Sequence, residues 1–113
     1  MIKLINITDD AHQNHTIQLP GGGELILTLR YVGLTEMWFF DATYNDTQMY
    51  GYKLSVGVPH LLSRNMPFDL WCVDTSGDGV DPIRADDFLT GRCELFVLTE
   101  NDMLEVRGAP VPA

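Results

Sequence analysis

Glu24-Leu-Ile-Leu-Thr-Leu-Arg-Tyr31, then Val32-Gly-Leu-Thr35, then Glu36-Met-Trp-Phe-Phe-Asp-Ala-Thr-Tyr44 is the stretch that decides the fold. Leu25, Leu27, Leu29 and Tyr31 alternate with Thr28 and Arg30, the period of a strand with one buried face. Trp38, Phe40, Ala42 and Tyr44 repeat the pattern after a hairpin loop at 32–35. Pairing Tyr31 with Glu36 sets Leu29 against Trp38, Leu27 against Phe40 and Leu25 against Ala42. The apolar faces then coincide, and face matching is what fixes register in a sheet. A second turn at Asn45-Asp46-Thr47 and a pairing of Tyr44 with Tyr50 add a third strand, with Leu54 opposite Phe40 and Val56 opposite Trp38.

The other face of this meander carries Ile26, Met37, Phe39 and Met49. That is too apolar for a face in water, so these four residues are candidates for a protein interface. On the same face Arg30 and Asp41 are expected to form a cross-strand ion pair.

Outward from this centre the chain continues as strands and turns. Met1 to Ile7 alternates, Asp9-Asp10-Ala-His is a polar turn, and His15 to Leu19 is a short strand. Pro20-Gly-Gly-Gly23 breaks it. Val58-Pro59 opens a helical turn at 60–64. Phe68 to Asp74 is a strand with Phe68, Leu70 and Cys72 on one side and Trp71 and Val73 on the other. A turn-rich acidic loop follows, Asp74-Thr-Ser-Gly-Asp-Gly-Val-Asp-Pro82. Ala85 to Thr90 reads as one helical turn, stopped by Gly91. Arg92 to Thr99 is the last strand, and a further helical turn is expected at 101–105. The fold class is all-β: a single small antiparallel barrel or sandwich of six to seven strands, with one or two short helical turns.

Composition narrows the function. The chain has 113 residues, the size of one domain (1–113), with a loose tail expected at 104–113. A chain of this length buries roughly two-thirds of its unfolded surface and needs no metal or disulfide to fold. Seven Lys+Arg against 16 Asp+Glu give a net charge of −9. That leaves no footprint for direct nucleic-acid binding and no basic face for a membrane surface. No apolar run is long enough to span a bilayer, and Met1-Ile-Lys-Leu-Ile-Asn does not read as a secretory signal. Cys72 and Cys93 are therefore expected as two buried thiols.

Few residues suggest chemistry. Asp74, Ser76, Asp78 and Gly79 stand at the first, third, fifth and sixth positions of a calcium loop, but the twelfth position is Ala85, where a carboxylate is needed. Asp74, Ser76 and Asp78 form a weak calcium candidate, and a solvated turn is the plainer reading. His12 and His15 lack the further ligands zinc requires, and the histidines are expected at the surface. Ser55, Ser63 and Ser76 have no neighbouring base, so no catalytic residue is expected and the chain does not read as an enzyme. No cofactor is implied.

The order of features resembles the small baseplate plug proteins of contractile-tailed bacteriophages. The resemblance runs over a core of 14–103. It lies in Leu-Thr-Leu-Arg-Tyr (27–31), Trp38-Phe-Phe-Asp41, a Tyr-Lys-Leu strand with Gly57, and Leu61-Leu62. It continues in Phe68-Asp-Leu70, the acidic loop, Asp87-Phe88 and Glu94-Leu-Phe-Val-Leu-Thr-Glu100. The resemblance implies a structural virion component of the tail baseplate, assembled in the bacterial host cytoplasm. Its expected place is a plug or adaptor near the axis, in multiple copies, against the hub, tail tube and spike. It implies no catalytic residues. A small calcium-dependent ligand-binding β module is the alternative.

Overall fold

The computed structural model describes residues 2–20, 22–58, 60–61, 66–99 and 102. Among these residues seven strands occur in chain order: β1 (Ile2–Lys3), β2 (His12–Gln18), β3 (Glu24–Val32), β4 (Met37–Tyr44), β5 (Thr47–Lys53), β6 (Asp69–Asp74) and β7 (Cys93–Leu98). They form two antiparallel sheets, ordered β1-β7-β6 and β2-β3-β4-β5. The inward faces share one core. Leu25, Leu27, Leu29, Trp38 and Phe40 of the larger sheet meet Leu70, Cys72, Leu95 and Val97 of the smaller, and all nine are fully buried. Burying such side chains is the main stabilising term for a sandwich of this size.

The molecule is a sandwich and not a closed barrel. On one side the chain crosses between the sheets: Leu54 N–H donates to the Trp38 carbonyl, and Val56 bridges in parallel to Cys72. On the other side β1 and β2 stay apart, leaving an open groove of ≈ 670 Å³ lined by residues of 2–5 and 13–18.

The β3–β4 register differs from the expected one. Val32 pairs with Met37, so Tyr31 faces Trp38, Leu29 faces Phe40, Leu27 faces Ala42 and Leu25 faces Tyr44. The turn is 33–36, with Glu36 in the left-handed region at φ 54, instead of 32–35. The shift is two residues, an even number, so every side chain keeps its face.

The β4–β5 hairpin differs in a way that matters more. Its turn is the two residues Asn45-Asp46, with Asn45 at φ 52, a conformation Asn tolerates. Tyr44 pairs with Thr47, three residues from the expected Tyr50. An odd shift reverses the face: Met49 opposes Ala42 in the core and is 2 % exposed, so it does not join Ile26, Met37 and Phe39. A bulge then sets Tyr50 and Gly51 against Asp41 alone. Gly51 takes φ 75, and its N–H donates to Asp41 Oδ1 at 2.8 Å. The extra residue restores the expected face for Tyr52 and Leu54.

Elsewhere the match is closer. Strand β2 begins earlier than expected, at His12. The glycine-rich break is an ordered hairpin: Leu19 N–H donates to the Gly23 carbonyl, and Gly22 N–H to the Leu19 carbonyl. The Tyr44 ring lies where a Cβ on Gly23 would stand, so a side chain at that position would have to displace the ring. In place of a helix, 84–91 is a series of turns, with one helix-type bond from Thr90 N–H to the Asp86 carbonyl. The turn expected at 60–64 lies mostly outside the described residues. So does the one expected at 101–105, and the tail 104–113 lies wholly outside. Among the described residues no helix is long and apolar enough to cross a membrane.

Candidate protein interface

The outer face of the four-stranded sheet holds three of the four expected contact residues. Ile26 is 40 % exposed and sits between Thr16 and Thr43 on the neighbouring strands. Met37 and Phe39 are half-buried; Met37 pairs with Val32, and Phe39 lies between Arg30 and Lys53. The three do not form one stripe, because a polar centre separates Ile26 from Phe39. There Arg30 holds Asp41 by two parallel bonds of 3.0 Å, as expected from the strand pairing. Thr28 Oγ1 donates to Asn14 Oδ1 beside them. Partial burial works against ionisation of Asp41, but the Arg30 guanidinium and the Gly51 N–H outweigh it and hold its carboxyl below the usual range.

The acidic loop is organised by its own hydrogen bonds. Asp74 Oδ1 accepts from the N–H and the hydroxyl of Ser76, and Oδ2 accepts from Val80 N–H. Those bonds, the Ser76 hydroxyl first, hold the Asp74 carboxyl below its ordinary value. Arg92 stands 3.5 Å from the same carboxylate, a cation already in place. Asp78 is exposed on the far side of the turn. Among the described residues no three acidic, His or Cys side chains converge as metal ligands, and the calcium reading gains no support.

Arg92 ties this loop together. Its Nε and Nη2 form a fork on Asp87 at 2.9 and 2.8 Å, and its guanidinium also donates to the Val80 and Asp81 carbonyls. Asp87 in turn accepts from the N–H groups of Ile83 and Arg84. The Arg92 bonds lead the causes that lower the Asp87 carboxyl from 3.8 to about 2. A depressed carboxyl stabilises the fold above its unfolded-state value and loses that contribution as pH falls through its folded value. Stability attributable to Asp87, about 2 kcal/mol, is therefore present above about pH 4 and lost towards pH 2. Denaturant titrations across that range should show a flatter pH dependence in Asp87→Asn than in the parent. Parallel curves would rule this linkage out.

The remaining candidates are structural. Cys72 and Cys93 are buried, unbridged thiols. The contact with Cys93 and burial both push the Cys72 thiol up, away from a reactive thiolate. His12 is exposed, as expected of the histidines, but His60 is packed edge-on against Phe40. Its Nε2 accepts from Ser55 N–H and its Nδ1 donates to the Leu70 carbonyl, which pins the crossing segment to β6. Burial lowers the His15 pKa. Ser63 lies outside the described residues.

Sequence reading missed a second exposed apolar set. Leu34, in the β3–β4 turn, is 97 % exposed, and Val80, Ile83 and Leu89 are exposed on the β6–β7 loop. The available signal was a leucine in a turn, where Gly, Asn, Asp and Ser are the residues with a backbone reason to be present.

No curated protein matches the chain. The model of one protein family does, that of the cyanophage baseplate Pam3 plug gp18, over residues 2–100. That match takes in all seven strands and both loops that carry exposed apolar side chains. The chain belongs to this family of phage baseplate plugs.

Proposed function

We propose that this protein is a structural plug of a contractile phage tail, a single β domain seated near the axis where hub, tail tube and spike meet. The family match over residues 2–100 is the observation that carries the reading. The protein works by contact and not by catalysis, assembles in the host cytoplasm in multiple copies, and touches its neighbours through Ile26, Met37 and Phe39. Two features support contact with protein and not with DNA. The outer sheet face keeps half-exposed apolar side chains. Among the described residues the cations are largely spent inside the chain: Lys3 pairs with Glu94, Arg30 with Asp41, Lys53 with Asp81, and Arg92 with Asp74 and Asp87. Phosphate binding needs free Lys and Arg.

Quantitative mass spectrometry of purified particles tests the reading; a fixed number of copies per virion is expected, and absence from particles would refute it. Phe39→Asp tests the face. Phe39 lies outside the core, so the variant should melt close to the parent yet enter particles at least about ten-fold less often. Normal incorporation would remove this face from the interface.

A further inference from the structure

Exposed apolar side chains gather at one end of the sandwich. The β3–β4 turn and the β6–β7 loop meet there, fastened by Tyr31 Oη donating to the Ile83 carbonyl and Trp38 Nε1 to the Arg84 carbonyl. Leu34 projects from the turn with 97 % of its surface exposed, and Val80 and Ile83 are exposed on the loop at 43 % and 40 %. At the opposite end the described turn residues Pro20, Gly22, Asn45 and Asp46 are exposed, and none of these four carries a large apolar side chain. Leu34 packs on nothing in the fold, so the fold gives no reason for its being apolar.

The same end is acidic. Glu36 follows Leu34 in the turn, and Asp9 and Asp10 lie alongside, because Tyr31 N–H donates to the Ala11 carbonyl. Asp78 and Asp86 are exposed on the loop. Among the described residues these five carboxylates have no ion-pair partner. Arg84 is the one cation among the described residues without a partner, since Lys3, Arg30, Lys53 and Arg92 are all engaged. A second copy of this chain docked end to end would set five carboxylates against five, with Arg84 the one unpartnered cation per copy among the described residues to offset them.

We infer that this end docks into a different protein of the baseplate, one that offers an apolar recess for Leu34 bordered by Lys and Arg. The inference rests on the plug reading and adds the surface and the chemistry of the partner. Desolvated apolar anchors carry most of the energy of such contacts, and charge complementarity around them selects the partner.

The test is complementation of phage lacking its own copy, followed by counting copies per particle. Leu34→Asp buries a charge in the recess and should lower incorporation by roughly thirty-fold or more, while Leu34→Met stays near the parent. Joint reversal of Glu36→Lys and Asp78→Lys should lower incorporation and make the residual level less sensitive to salt in extracts. Substitution at so exposed a site should leave the melting temperature unchanged; if Leu34→Asp lowers it, Leu34→Ser replaces it. Incorporation of Leu34→Asp at the parent level overturns the inference. Absence of the parent protein itself from complemented particles is a separate outcome, which overturns the plug reading and this inference with it.

Discussion

Trp38→Ala should lower the free energy of unfolding by about 3–5 kcal/mol, close to half the stability of a typical domain. Trp38 is wholly buried on the inward face of β4. Its ring packs against Tyr31 and edge-on against Phe88, each with centroids 5.3 Å apart. Its Nε1 donates to the Arg84 carbonyl at 2.9 Å. Truncation therefore opens a large cavity and also leaves that carbonyl without its donor. Trp38→Phe separates the two effects: it refills most of the space and should cost about 1–3 kcal/mol. Urea titration followed by Trp71 fluorescence reads both variants, because Trp71 lies on the outward face of β6. A loss below about 1 kcal/mol in Trp38→Ala would mean that the β6–β7 loop is not fastened through this ring.

Arg92→Ala should cost about as much, about 3–5 kcal/mol, for a different reason. The guanidinium serves Asp87 and Asp74, whose side chains are 3 % and 1 % exposed. Removing it leaves two carboxylates buried without a cation and unties the carbonyls of Val80 and Asp81. Arg92→Lys should recover little, because a single ammonium cannot reproduce the fork on Asp87. The damage should be local. Amide hydrogen exchange would rise across 75–91 before it rises in β3 and β4. The deficit should also shrink towards pH 2, where Asp87 takes up its proton in the parent. A uniform loss of protection, or a deficit independent of pH, would contradict this account.

The parts legible in the sequence were those governed by period. Leu25, Leu27, Leu29, Trp38 and Phe40 alternate so regularly that the core face of β3 and β4 was readable residue by residue. The Arg30–Asp41 pair followed from that alone. Met49 was not legible, because its face depends on how many residues the Asn45-Asp46 turn consumes, and a bulge at Gly51 then undoes the change. Such counting errors leave composition and alternation untouched, so nothing in the local pattern reports them. The loop from Asp74 misled for another reason. Asp, Ser and Gly serve a calcium site and a self-bonded turn equally well, and what separates them is Arg92, eighteen positions away. The end surface around Leu34 was unreadable because it forms only when the β3–β4 turn and the β6–β7 loop come together across the two sheets.

The central claim is that this chain plugs a phage baseplate. Electron cryo-microscopy of intact tails from the source phage tests it most directly. The account predicts density at the baseplate axis that fits two packed antiparallel sheets ordered β1-β7-β6 and β2-β3-β4-β5, with the Leu34 end against a neighbouring protein. A fully interpreted baseplate with no such sandwich in it would contradict the claim.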